Sequence, residues 1–395
     1  MNSILRIGLT SSRIFAATLF FAAYALAIQV HAQSYAERYL EEKKEANLNT
    51  VTIIASGTKS PYTRFAEDLQ SVLDDLETGS LRVLPILGRG GGQNLLDVLF
   101  LKGVDMGVME DDAPAYFERK DPVLFGRATE RVHYITKLAN SEFHLFARKE
   151  VTRPEQLRGK KVNGHKRNSS SHIVTETVFK LLGIDVEITH YDADLAMQKL
   201  KAGEIDAIVR KAGAPHSAFA PSELDGDDRF HFVPIDESTV GAEAYARLME
   251  KYLPAQLNSE QYPHILNGGE TTPTVANSML LATYAWSEDS DRYRKVANFV
   301  RKFFDNIDKL RDGPRHDKWK EINLAATVPG WTRFKAAQEW LDQRQQKSTA
   351  NARTAFEQFL RDRPGSGQIT EEQRAELFAA FLKWWNKQRA AVSGQ

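Results

Sequence analysis

Three short segments put residues able to hold an anion directly in front of predicted helices: Gly57-Thr58-Lys59-Ser60, Gly88-Arg89-Gly90-Gly91-Gly92-Gln93-Asn94 and Asn168-Ser169-Ser170-Ser171. A helix start exposes unpaired N–H groups and a partial positive charge, and glycine or serine lets backbone and hydroxyls approach a ligand closely. Taken singly, each segment is also what an ordinary helix cap looks like, because Thr58, Ser60 and Ser169 to Ser171 are common N-cap types. Three in one topological position point to a shared site for a carboxylate. Lys59, Arg64, Arg89, Lys166 and Arg167 lie in or beside these turns. They can pair with an anion, arginine through two parallel contacts, or remain solvated surface charge. Tyr62 can pack on the ligand's carbon skeleton or belong to a helix core.

The elements that would position these turns read as alternating strands and helices. Val51 to Ala55 is a β-branched strand, and Phe65, Leu69, Val72, Leu73 and Leu76 recur at helical spacing. Leu81 to Leu87 then predicts a strand, Leu95 to Leu101 a helix and Val104 to Val108 a strand. A second run of the same kind starts near Lys161: a strand at Val162, a helix over Ile173 to Leu182 closed by Gly183, a strand over Val186 to His190, a helix over Leu195 to Leu200 and a strand over Ile205 to Val209. Such runs give mainly parallel sheets covered by helices. In open sheets of this kind, ligands sit beyond the strand C-termini, where the three turns fall. Leu99 to Asp105 echoes Leu200 to Asp206, either as a duplicated lobe or as the usual helix, glycine, strand sequence. Phe143 to Ala147 and Thr274 to Leu281 are strand-like and lie after the two runs, as crossing strands would. Tyr293, Val296, Val300, Phe303, Phe304, Ile307 and Leu310 then form the stripe of a long helix returning to the first lobe.

Other chemistry is poorly served. The 395 residues contain no cysteine, which removes disulfides, thiolate nucleophiles and cysteine-held metals, and 52 basic residues balance 52 acidic ones, so no basic excess exists for nucleic acid. Gly88 to Gly92 superficially suits a dinucleotide turn, but Gln93 stands where the third glycine belongs. The histidines form no His-x-x-x-His pair, and no nucleophile elbow is present, so neither a metal nor catalytic residues are assigned and an enzyme is not expected. No cofactor is expected.

Arg6 and Arg13 precede an apolar stretch from Ile14 to Val30, and Val30-His31-Ala32 offers a signal-peptidase site with Gln33 as the mature start. The alternative is an uncleaved inner-membrane anchor. Removing the two arginines from 52 basic residues leaves 50 against 52 acidic, a formal charge of −2 for a periplasmic product expected to be soluble and monomeric. The predicted organisation is a signal peptide over residues 1–32, a leading helix over 33–50, lobe one over 51–145 and 275–331, lobe two over 146–274, and a helical tail over 332–395.

The succession Ile54-Ala55-Ser56-Gly57-Thr58 with Tyr62, the cluster Gly90-Gly91-Gly92-Gln93-Asn94-Leu95, the strand Gly103 to Val108, and Gly203 to Val209 followed by Gly213-Ala214-Pro215 resemble the TAXI group of TRAP-transporter solute-binding proteins. Tyr262-Pro263 and Thr272 to Val275 extend the likeness, which runs from about Val51 to Lys335. The resemblance implies the α/β fold of a type II periplasmic binding protein, two similar lobes joined by two hinge strands. It further implies capture of a small organic anion, glutamate-like or a dicarboxylate, delivery to an integral membrane TRAP permease, and Gly213, Ala214 and Pro215 as ligand-binding residues. Departures concern the ligand more than the fold. Lys59, Ser60 and Pro61 intervene before a single tyrosine, Asn168 to Ser171 replaces Gly-Ser-Gly-Thr, and Val328-Pro329-Gly330-Trp331 replaces His-Pro-Gly-Ala.

The tail is not required by that family. Thr370-Glu371-Glu372-Gln373 is a capping box, after which Leu377, Phe378, Phe381, Leu382 and Trp385 form one helical face, with Pro364-Gly365-Ser366-Gly367 as a joint before it. These helices either pack back on the lobes or present a docking surface for a permease or another partner, and the alternative function is that of a periplasmic sensor or partner-binding protein acting through this tail.

Overall fold

The computed structural model describes residues 34–75, 77–224, 227–361 and 370–393. The export signal over 1–32, Leu76 of the first helical stripe and the joint Pro364 to Gly367 lie outside the described residues. In chain order the longer elements are a helix at residues 34–48 (α1), β1 (Thr50–Ile54), α2 (Pro61–Leu73), β2 (Arg82–Ile86), α3 (Gly91–Phe100), β3 (Met106–Glu110), α4 (Ala113–Lys120) and β4 (Val132–Arg148). There follow β5 (Lys161–Asn163), α5 (Ser170–Leu182), β6 (Glu187–Thr189), α6 (Ala193–Ala202), β7 (Ala207–Ala212), β8 (Phe230–Phe232), α7 (Ala242–Met249), β9 (Leu253–Asn258), β10 (Thr271–Tyr284), α8 (Asp291–Asp305), α9 (Lys335–Arg361) and α10 (Glu371–Ser393).

The described residues form two compact units, 34–50 with 75 and 77–82, and 51–74 with those from 83 onward. In the first, α1 is exposed along its length, and the Asn49 side chain donates to the Gly79 carbonyl at 2.9 Å.

The second unit is α/β. One sheet runs β2-β1-β3-β10-β4-β7-β5-β6, with β8 on β4 and β9 on β10. Towards its two ends the pairs are parallel, β1 with β3 and β5 with both β6 and β7, as strand-helix-strand connections require. β10 runs antiparallel to β3 and to β4, and β4 antiparallel to β7. The two long strands therefore carry the chain between the halves. β4 pairs with β10 over Val132 to Glu142 and with β7 over Glu142 to Ala147, so the predicted strand at Phe143 to Ala147 is only its last part.

Local signals close the helices. Ser60, Ser169 and Ser290 accept from the amides of Tyr62, His172 and Tyr293 as N-caps of α2, α5 and α8, and Gly183 ends α5 in the left-handed region. The return helix is shorter than the stripe predicts: α8 stops at Asp305, where the Asn306 side chain turns back to the Lys302 carbonyl at 2.8 Å, and Ile307 and Leu310 sit in a separate turn. Its buried face meets α2 through an aromatic cluster, Phe65 and Phe303 both packing on Trp319 at 4.7 and 5.9 Å between ring centroids.

α9 packs on α8, with Trp340 edge-on to Phe304, and α10 packs on α9 through Phe378 and Phe381 against Phe356. The capping box forms: the Thr370 amide donates to the Gln373 side chain at 3.0 Å and the Gln373 amide to the Thr370 hydroxyl at 3.3 Å. The predicted single face is split, since Phe378 and Phe381 turn to α9 while Leu377 is 46% exposed. No helix among the described residues is long and apolar enough to cross a membrane.

Candidate ligand site

Where α2, α3 and α5 begin, the halves of the sheet face one another around a small cavity of about 70 Å³. Of the predicted residues, Gly57, Lys59, Ser60, Tyr62, Arg89, Gly90, Ser169, Ser170 and Ser171 line it. They are joined by Ser56, His165, Ala193, Arg210, Lys211 and His216. Tyr62 is buried, which brings its phenol to Ser170 at 2.9 Å across the cleft. At the rim, Lys59 reaches Asp194 at 2.9 Å and Glu223 at 2.7 Å, and Ser217 donates to its carbonyl.

The remaining predicted residues do not line the cavity, and packing gives the reason for most. Beyond its N-cap Gly90, the start of α3 packs on the loop before α5, where the Gln93 amide donates to the Asn168 carbonyl at 2.7 Å and the Asn168 side chain to Gln93 at 3.3 Å. Asn94 ties β1 to β3, donating to the Ala55 carbonyl at 2.8 Å and the Val108 carbonyl at 2.6 Å. A Cβ on Gly91 would fall 1.8 Å from the Ser170 hydroxyl, and one on Gly92 would fall 2.3 Å from Ile173 Cδ1 and 2.8 Å from the Asn168 carbonyl oxygen. These glycines let the two halves touch and do not line the cavity. Thr58, Lys166 and Arg167 are exposed, and Arg64 turns to Asp68 at 3.2 Å. Gly213, Ala214 and Pro215 form the turn after β7, where the Ala214 amide donates to the buried Glu142 carboxylate at 2.8 Å. Glu142 in turn pairs with Lys318 at 2.8 Å. Burial works against the Lys318 charge, but the Glu142 and Glu321 carboxylates outweigh it and hold its pKa up.

Two residues that decide the electrostatics escaped the sequence reading. Arg210 and Lys211 are both buried at the end of β7 and both line the cavity. Lys211 Nζ has no hydrogen-bond partner among the described residues and lies 5.2 Å from the centre of the Tyr252 ring. Arg210 donates to Asn163 at 3.1 Å and to the Val209 carbonyl at 2.7 Å, leaving Nε unpartnered. Burial pulls both cations' pKa values down, that of Arg210 to about 9, so the guanidinium stays charged at neutral pH. The signal was present as two adjacent charges in an otherwise apolar strand directly before Gly213.

Burial shifts the neighbouring Glu110 and three histidines towards their neutral forms. Burial pushes Glu110 up to about 8 against the Ser170 and Ser141 hydroxyls that bond its carboxyl, while His144 and His165 fall to about 3 for the same reason and His216 well below its usual value. The charged side chains lining the cavity are Lys59, Arg89, Arg210 and Lys211, with no carboxylate among the described residues there.

The profile of the NMT1-like family matches residues 77–330. The chain belongs to that family. No curated protein sequence matches it. Among solved structures, the periplasmic aliphatic sulphonate binding protein SsuA from Escherichia coli is similar at 15% identity over 87% of this chain and 93% of its own, with a TM-score of 0.35. A putative sulfonate-binding SsuA from Methylobacillus flagellatus aligns at 11% identity over 69% and 72%, TM-score 0.38. The amino acid binding protein AbpA from Streptococcus pneumoniae, bound to L-arginine, aligns at 13% over 69% and 95%, TM-score 0.38. The NMT1-like match takes in the cavity residues from Arg89 to His216, whereas Ser56, Gly57, Lys59, Ser60 and Tyr62 precede it.

Proposed function

We propose that this chain is an exported solute-binding protein, not an enzyme, that closes two α/β lobes about β4 and β10 on a small organic anion and delivers it to a membrane permease. The lobes in this reading are residues 51–145 with 275–331, and 146–274. The observation that carries it is the charge of the cavity wall: two buried cations, Arg210 and Lys211, neither in a salt bridge among the described residues, with Arg89 and the rim-paired Lys59 at the mouth, ringed by hydroxyls and with no carboxylate in the lining itself. Buried charge without a partner is costly, and a ligand's acid group relieves that cost. The order of the turns and the two crossing strands also suit the type II periplasmic binding fold, and the resemblance to the TAXI group makes a TRAP permease the partner and a carboxylate the ligand. Binding by closure accounts for the contacts across the cleft, since an interlobe hydrogen bond such as that of Tyr62 to Ser170 stabilises the closed form.

Thermal melts with a panel of organic acids test this reading. A ligand present at a hundred times its Kd stabilises the folded state by about 2.7 kcal/mol. Absence of any shift across mono- and dicarboxylates would sink it. A second reading, a periplasmic sensor acting through the tail, is favoured by the exposure of Leu377 and Trp384 on α10. It predicts ligand binding without transport.

A further inference from the structure

Glu110, at the end of β3, approaches the cavity from behind its wall. It is buried, and its carboxyl is bonded by the hydroxyls of Ser170, which lines the cavity, and Ser141, at 3.2 Å. A Cβ placed on Gly91 would lie 2.6 Å from Glu110 Oε2, so the carboxyl sits beside the first residue of the ten-residue helix α3, where a helix favours negative charge. Lys211 Nζ, unpartnered, feels the Glu110 carboxyl only through space. Glu110 thus holds the hydroxyl and the cationic field that a ligand's acid group needs.

Resting on the anion-binding reading above, we propose that Glu110 determines which ligand charge the site accepts, by competing with the incoming acid group for Ser170 and Lys211 and taking up one proton from water as that group binds. Once protonated, its O–H donates to Ser170 Oγ. The Ser170 hydroxyl hydrogen then turns to the ligand, and the positive charge of Lys211 is left for the ligand alone. The groups facing Glu110 are Ser170 from α5, Ser141 from β4, Lys211 from β7 and Asp112 from the following turn; of these, Asp112 raises its proton affinity and Lys211 lowers it. Burial outweighs both hydroxyls and Lys211 and brings its pKa to about 8, within reach of a proton exchange near neutral pH. A bound anion raises that value further. Affinity is therefore highest below the free-state pKa and falls as pH rises above it, by about tenfold per pH unit until the bound-state pKa is reached.

Calorimetry of the mature protein with acetate and with methanesulfonate tests this, because neither probe changes charge between about pH 6 and about pH 9.5, so any proton taken up belongs to the protein. Repeating each titration in two buffers of different ionisation enthalpy counts the protons. The expected result is uptake of about half a proton at pH 8, approaching one proton about a pH unit higher, and for E110Q no uptake, a flat pH profile and binding at least tenfold tighter than wild type at the alkaline end. Wild-type binding without proton uptake overturns the proposal and leaves the anion site standing. If neither these probes nor any member of the organic-acid panel binds to wild type or to E110Q, both readings fall. Proton counting on the wild type decides the matter even if E110Q does not fold.

Discussion

Tyr62 and Ser170 meet across the cleft, phenol to hydroxyl at 2.9 Å, and the same Ser170 hydroxyl bonds the buried Glu110 carboxyl. One serine therefore links a residue of α2 to the end of β3 through the first turn of α5. Removing the phenol oxygen in Tyr62→Phe keeps the packing and deletes the bond, at a cost of about 1 kcal/mol to the closed form. Ligand affinity should fall by roughly fivefold and small-angle scattering should report a more open average shape. An unchanged affinity would mean that this bond does not contribute to closure.

Lys211 should show stability and function in opposition. Its ammonium is buried without a hydrogen-bond partner. Lys211→Met keeps the length of the side chain and removes the charge, so the melting temperature should rise, by the equivalent of about 1 to 3 kcal/mol, while anion binding weakens at least tenfold. Thermal melts and calorimetry on the same preparation read both. A variant that is destabilised and binds normally would remove Lys211 from the site.

Gly92 tests the packing role of the glycine turn. With Ile173 Cδ1 and the Asn168 carbonyl oxygen 2.3 and 2.8 Å from the position of a Cβ, Gly92→Ala must push α5 and its preceding loop away from α3. Overpacking of this kind costs about 1 to 3 kcal/mol. Urea denaturation should show that loss, and Gly92→Asp a larger one. Full stability of Gly92→Ala would contradict the close packing of α3 against α5.

Stability should peak near pH 6.5. Burial lowers His144 and His165 from 6.5 to about 3, so between those values the unfolded chain binds protons that the native chain does not, and stability falls as pH drops below 6.5. Glu110 acts with the opposite sign: its native value of about 8 exceeds the unfolded 4.5, so its contribution is lost as pH rises between them. Each such group changes stability by about 1.4 kcal/mol per pH unit within its window. Melting temperatures across this range should pass through a maximum, and Glu110→Gln should remove the decline between pH 6.5 and about 8. A decline that survives that substitution would assign it to another group.

At the rim, Lys59 joins Asp194 and Glu223 while remaining 43% exposed. Exposed pairs of this kind contribute about 0 to 1 kcal/mol and are screened by salt. Lys59→Met should therefore speed ligand exit measured by stopped flow and slow entry of an anion past the unpaired Asp194 and Glu223, with little change in melting temperature, and added salt should speed exit from the wild type but not from the variant.

How much of this was legible follows from which forces act locally. Apolar spacing located β1, α2, β2, α3, β3 and their counterparts from β5 to β7, because strand and helix periods are properties of consecutive residues. Caps at Ser60, Ser169 and Thr370 were readable for the same reason. β4 was not read beyond its last residues. Its first part lacks a period-two pattern, because Leu138 and Ile135 stand at two register shifts, and it becomes strand through pairing with β10, more than a hundred residues away in the chain.

The site divides along the same line. Sequence alone determined that serines, glycines and a tyrosine would gather where α2, α3 and α5 begin, since strand C-termini and helix starts converge in this kind of sheet. Only the tertiary structure decided their roles. It filled the space above Gly91 and Gly92 with Ser170, Ile173 and the Asn168 backbone, and it withdrew Arg210 and Lys211 from water into the wall of the cavity. The physical reason is that burial is collective. A residue's neighbours along the chain decide its dihedral angles, but solvent access, and with it the energy of a charge or the room for a Cβ, is decided by groups brought in from the other half of the sheet.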